Sequence, residues 1–76
     1  MYSIKKLAQN IRNARKLKLY NQRHMSKMLH ISQNAYSKIE LGLTNLSLKR
    51  FFEIADVLSV DPVTLLANMI NEKKLT

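Results

Sequence analysis

Residues Asn21 to Gly42, NQRHMSKMLHISQNAYSKIELG, decide how this chain folds. Asn21 and Ser32 both suit a helix N-cap, because a short side-chain oxygen accepts a hydrogen bond from an otherwise unpaired N–H of the first turn. They stand eleven residues apart, which leaves room for a two-turn helix and a turn before a second helix begins. Met25, Leu29, Ile31, Tyr36 and Ile39 can point inward, while Gln22, Arg23, Lys27, Gln33, Asn34, Ser37 and Lys38 stay on polar faces. Gly42 stops the second helix, since glycine takes a positive φ without steric cost. The spacing predicts two short helices, about 22–29 and 33–41, joined by a tight turn.

A helix pair with this spacing is a helix-turn-helix, whose second helix suits the major groove of duplex DNA. That helix opens Ser32-Gln33-Asn34, and Gln and Asn are the side chains that bond bidentately to adenine. Charge points the same way. From Met1 to Ile39 there are nine basic residues (Lys5, Lys6, Arg12, Arg15, Lys16, Lys18, Arg23, Lys27, Lys38) and no acid; the first acid is Glu40. The remainder holds four basic residues and five acids, so the formal +8 belongs to the first half. A solvated basic surface is the ordinary explanation for scattered lysines. Thirty-nine residues without an interleaved acid favour a polyanion-binding face.

Seventy-six residues make one domain, 1–76, close to the lower limit for a self-sufficient core. A hydrophobic share of 46% with one Gly and one Pro favours a compact helical bundle over sheet or disorder. Cysteine is absent, so disulfides and thiolate metal sites are excluded. No apolar run approaches the ~20 residues that span a bilayer. The basic N-terminus lacks the uninterrupted apolar stretch of a signal peptide. The expectation is a cytoplasmic protein without membrane contact.

Outside the central stretch, Ser3 caps a first helix of about 3–18, with Ile4, Leu7, Ile11, Ala14 and Leu17 at three- and four-residue steps. Ser47 caps a fourth, about 48–58, with Leu48, Phe51, Ile54, Ala55 and Leu58 inward. Asp61-Pro62 opens a fifth, about 62–71, since a capping carboxylate followed by proline is a strong start signal. That helix carries Val63, Leu66, Met69 and Ile70. The fold class is all-α, with five helices.

In this order the residues resemble the small five-helix DNA-binding domains of phage repressors and Cro proteins, the xenobiotic-response-element type. The resemblance covers about residues 4–67: Asn21-Gln22 opening the second helix, Ile31-Ser32-Gln33 entering the third, YSKIELG ending it, NLSL opening the fourth and LSVDPVTLL the fifth. It implies a lambda-repressor-like fold in which Gln33, Asn34 and Lys38 face base edges with Ser37 close by. It also implies that Asn21 and Gln22 anchor phosphates at a helix N-terminus, where free N–H groups favour an anion. Arg23 and Lys27 are further phosphate candidates, and Thr44 and Asn45 would touch phosphates from the loop. Arg15 would pair with Glu40, which as a lone carboxylate in the basic half needs a partner. Relatives often have Gly where Leu19, His30 and Ser59 stand. His tolerates left-handed backbone well; Leu19 does not, so the first helix is expected to end differently. Leu43 and Leu46 replace a basic residue and a proline common in the loop.

The other polar residues have plainer readings. His24 and His30 are six apart, which does not make a metal pair, so neither metal nor cofactor is expected. Ser26, Ser32, Ser37 and Ser47 lack the base and orienting group of a nucleophile, and an enzyme is the weakest reading. Asp56 and Asp61 read as surface charge and cap, and Lys49 and Arg50 as solvated charge. The Phe51-Phe52 pair reads as core plus an exposed neighbour, and Tyr36 as core. Val63, Leu66, Met69 and Ile70 form an apolar stripe beyond what a small core needs, the expected seam of a homodimer. A dimer would read a palindromic operator with half-sites about one helical turn apart, which suits a repressor. The alternative is an antitoxin that binds a toxin protein and represses its own operon, with Leu43 and Phe52 as contacts. A restriction-modification controller is a related role.

Overall fold

A short polar side chain stands at the start of each helix. Ser3, Asn21, Ser32, Ser47 and Asp61 accept hydrogen bonds from the backbone N–H groups of Lys6 (3.1 Å), His24 (2.7 Å), Ala35 (3.0 Å), Arg50 (3.0 Å) and Val63 (2.9 Å). The computed structural model describes residues 3–69. Within them run α1 (Ile4–Leu17), α2 (Gln22–Leu29), α3 (Gln33–Glu40), α4 (Leu48–Leu58) and α5 (Pro62–Leu65), with no strand among the described residues. The protein is all-α.

Helix exits repeat a second device. Leu19, His30, Gly42 and Ser59 take φ of 62°, 58°, 73° and 54°. In each case the next N–H bonds a carbonyl five residues back: Tyr20 to Arg15, Ile31 to Ser26, Leu43 to Lys38 and Val60 to Ala55. This is the Schellman pattern, which satisfies carbonyls that a helix end would otherwise leave open. Leu19 therefore corrects the expectation of a different ending for α1. Its backbone is left-handed although leucine resists that geometry by about 1–2 kcal/mol. Gly42 has a further reason to be glycine: a Cβ there would sit 3.1 Å from the Lys5 Cα, so α1 passes too close for a side chain.

The core is drawn from every helix. Leu7 and Ile11 of α1, Met25 and Leu29 of α2, Tyr36 and Ile39 of α3, and Phe51, Ile54, Ala55 and Leu58 of α4 are buried together with Leu65 and Met69. Ile31 packs against this cluster from the turn. The ends of two expected stripes do not belong to it. Leu17 is 85% exposed, and Leu48 is 68% exposed, one turn before the exposed Phe52.

The largest departure is α5. The expected helix over about 62–71 is a single turn that ends at Leu65. Beyond it the chain bends, with Asn68 at φ 59°. Asn10 on α1 holds this bend by donating from Nδ2 to the carbonyls of Leu65 (3.0 Å) and Ala67 (2.7 Å), and the Ser3 N–H bonds the Met69 carbonyl (3.0 Å). Met69 consequently enters the core, and its assignment to a dimer seam is corrected. Val63 and Leu66 remain exposed, while Ile70 lies outside the described residues. Leu65, absent from the expected stripe, is the buried residue of α5.

Candidate nucleic-acid interface

Around α3 the burial pattern divides the helix lengthwise. Tyr36, Ile39 and Glu40 are buried, whereas Gln33, Asn34, Ala35 and Lys38 are exposed and Ser37 is half-buried. Residues 33, 34, 37 and 38 differ by steps of one, three and four, which places them on one helical face. The side chains of Gln33, Asn34 and Lys38 have no hydrogen-bond partner among the described residues. They project from a helix whose other side is fixed in the core. Arg23 and Lys27 are exposed on the neighbouring α2. Asn34 and Lys38 also border a cleft of about 430 Å³ between α3 and α4, together with Ser32, Thr44, Asn45 and Arg50.

Behind α3 lies a polar network that sets its posture. Arg15 donates from Nε to Glu40 Oε2 (2.6 Å), from Nη2 to Oε1 (3.0 Å), and from Nη1 to the Tyr20 carbonyl (2.9 Å). The Tyr36 hydroxyl donates to Oε2, and Gln22 Nε2 donates to Oε1 (3.0 Å). Glu40 thus accepts four hydrogen bonds from three residues and is 7% exposed. Burial pushes the Glu40 carboxyl up, but the hydrogen bonds from Arg15, Tyr36 and Gln22 outweigh it and hold the group below its usual range. The bond to Glu40 holds the Arg15 guanidinium above its ordinary value, with burial opposing. Burial, followed by the bond to Glu40, raises the Tyr36 hydroxyl far above its ordinary value.

Two phosphate candidates already carry internal bonds. Asn21 uses its Oδ1 to cap α2, leaving its amide N–H groups. Gln22, read as a phosphate anchor, is half-buried with its Nε2 on Glu40, so it joins the start of α2 to the end of α3. Ser26 is buried and bonds the Arg23 carbonyl (2.8 Å), as the small residue at that place should. Sequence reasoning misses the partners of Asn10 and Arg50. Arg50 reaches from α4 to the Leu29 carbonyl at the end of α2 (3.1 Å) and to Glu53 (3.0 Å). Of all these partners only Glu53, three residues along the same helix, lies at a spacing that flags a contact.

Among the described residues no group of three His, Cys, Asp or Glu side chains could hold a metal ion, and no helix is long and apolar enough to cross a membrane. Two helices joined by a three-residue turn, the second with an uncommitted polar face, are the reading unit of a DNA-binding regulator. The chain belongs to the helix-turn-helix family of Cro and repressor type, whose profile matches residues 11–65, and is a DNA-binding transcriptional regulator. Among solved structures it is similar to the restriction-modification controller protein C.AhdI from Aeromonas hydrophila, with a TM-score of 0.77 and 24% identity over 82% of this chain and 94% of that one. No curated protein matches the sequence.

Proposed function

We propose that the protein is a homodimeric, cytoplasmic repressor that occludes a promoter by reading a palindromic operator. The observation that carries this reading is the exposed face of α3, where Gln33, Asn34 and Lys38 have no partner among the described residues while the opposite face is locked by the core and by Glu40. Gln33 and Asn34 offer paired donor and acceptor to adenine, Lys38 suits guanine, and Ser37 contacts a neighbouring base. Asn21, Arg23, Lys27, Thr44 and Asn45 hold the flanking phosphates, with Gln22 contributing its remaining amide N–H. Lys and Arg supply the salt-dependent attraction that is common to all sequences.

One such helix contacts few bases, so a second copy is needed for useful specificity. Val63 of α5 and Leu66 just past its end, 70% and 45% exposed, are apolar residues available for a two-fold seam. Selection of bound duplexes from a random DNA pool tests the proposal: an inverted repeat should emerge, and recovery of unrelated sequences would refute it. An antitoxin role is a second reading, favoured by Leu43 (68% exposed) and Phe52 (46% exposed), which a toxin could cover. Control of a restriction-modification system, the role of the similar protein C.AhdI, is a third. A toxin gene or a restriction gene adjoining this one would separate them.

A further inference from the structure

We propose that Arg50, which lies outside the helix-turn-helix on α4, is a positioning residue that sets the angle at which α3 is presented to DNA. This role rests on the DNA-reading role of α3 itself. The turn between α2 and α3 is made by His30, Ile31 and Ser32, and its shape fixes where Gln33 and Asn34 point. From the N-terminal side, the end of α2 supplies carbonyls without helical partners. Those of Ser26 and Lys27 are taken by the N–H groups of Ile31 and His30 at 3.0 and 3.2 Å. The Leu29 carbonyl, the last of the helix, is taken by Arg50 Nη1 at 3.1 Å.

The same nitrogen donates to Glu53 Oε1 at 3.0 Å, so the carboxylate one turn along α4 holds the guanidinium in place. A hydrogen bond from a charged group is stronger than one between neutral groups, and a planar guanidinium loses less freedom on making it than an ammonium would. The bond links residues 21 positions apart and crosses from the bundle body to the turn. Arg50 also borders the cleft that Asn34 and Lys38 line. A cation there invites the other assignment, a direct phosphate contact. Its Nη1, shared between the Leu29 carbonyl and Glu53, ties the guanidinium to the end of α2, which argues for position instead.

The test compares binding of wild type, Arg50→Met, Arg50→Lys and Glu53→Gln to the selected duplex and a scrambled one across a salt series. Arg50→Met keeps the apolar stem and removes every donor. It should lose roughly tenfold on the selected duplex, the worth of one charge-assisted hydrogen bond, and less than about twofold on the scrambled one. The salt slope should be unchanged, and amide resonances of residues 30–34 should shift while those of α1 do not. Arg50→Lys should recover part of the loss. Glu53→Gln, a change at a half-buried position outside the core cluster, should weaken the selected duplex mildly. If Arg50 touches phosphate, freeing it from Glu53 would instead tighten both duplexes. Equal losses on both duplexes for Arg50→Met with a shallower salt slope, or no loss on either, overturns the proposal. A wild type that binds both duplexes equally would refute the sequence-reading role itself, a separate outcome.

Discussion

Replacing Glu40 by glutamine removes one charge with almost no change in volume, and its cost follows from the donors that surround it. Arg15 Nε and the Tyr36 hydroxyl converge on one carboxylate oxygen, and Arg15 Nη2 and Gln22 Nε2 on the other. An amide keeps a single oxygen acceptor, so whichever way it turns, its own N–H groups face a donor of the Arg15 guanidinium, which cannot accept. Arg15, 8% exposed, also loses its counter-charge. Breaking a buried pair in this way costs about 3–5 kcal/mol. A domain of 76 residues has about 4–11 kcal/mol in total, so about a third or more of its stability is at stake. Urea unfolding at neutral pH reads the effect. With a slope of about 1 kcal/mol per molar for so small a protein, the midpoint should fall by about 3–5 M. A second axis is pH. Because the folded Glu40 titrates below its ordinary value of 4.5, its contribution is present above that value and lost as pH falls through the folded pKa. Wild type should therefore lose more stability than Glu40→Gln on acidification below pH 4.5. A midpoint within about 0.5 M of wild type at neutral pH would mean that the network contributes nothing net, and the reasoning would fail.

Gln33→Ala should lose ~1–3 kcal/mol on the selected duplex and little on a scrambled one, whereas Lys27→Ala or Arg23→Ala should weaken both and reduce the salt slope by about one contact. Equal losses for Gln33→Ala on both duplexes would make it a backbone contact. Leu19→Gly should raise stability by up to about 1 kcal/mol, since glycine removes the left-handed strain while adding some unfolded-state entropy; a fall in melting temperature would contradict the assignment. Val63→Asp with Leu66→Asp should yield a folded monomer by sedimentation with weakened operator binding. A wild type already monomeric well above its DNA-binding concentration would remove that seam.

The first four helices are legible in the residues because their determinants are local. Ser3, Asn21, Ser32 and Ser47 each act on an N–H three residues on, and the apolar steps of α1 to α4 fix the buried faces. The last segment shows where that stops. Asp61-Pro62 marks a start, but the end depends on Asn10, whose amide reaches carbonyls 55 and 57 residues away. Extending a helical period past Leu65 puts Leu66 and Met69 on one outward stripe, whereas the bend sends Met69 inward. Glu40 declares its need of a partner by being the first acid in the chain, and Arg15 provides it. Gln22 gives no such signal, because a neutral amide at a helix start suits a phosphate and a carboxylate equally. Arg50 is hidden for a similar reason, its partner being a backbone carbonyl that no side-chain pattern reveals.

The left-handed helix exits bear on how long a copy of this protein lasts. Only one of the four, Gly42, uses the residue best suited to it; Leu19, His30 and Ser59 carry side chains in that geometry. Each withholds stability from a domain that has little, Leu19 most of all. The population that is transiently open to proteases rises about tenfold for every 1.4 kcal/mol so withheld. Binding to an operator restores the deficit, since a ligand present at a hundred times its dissociation constant adds about 2.7 kcal/mol to the folded state. Copies seated on DNA would thus open to proteases less often than those in solution.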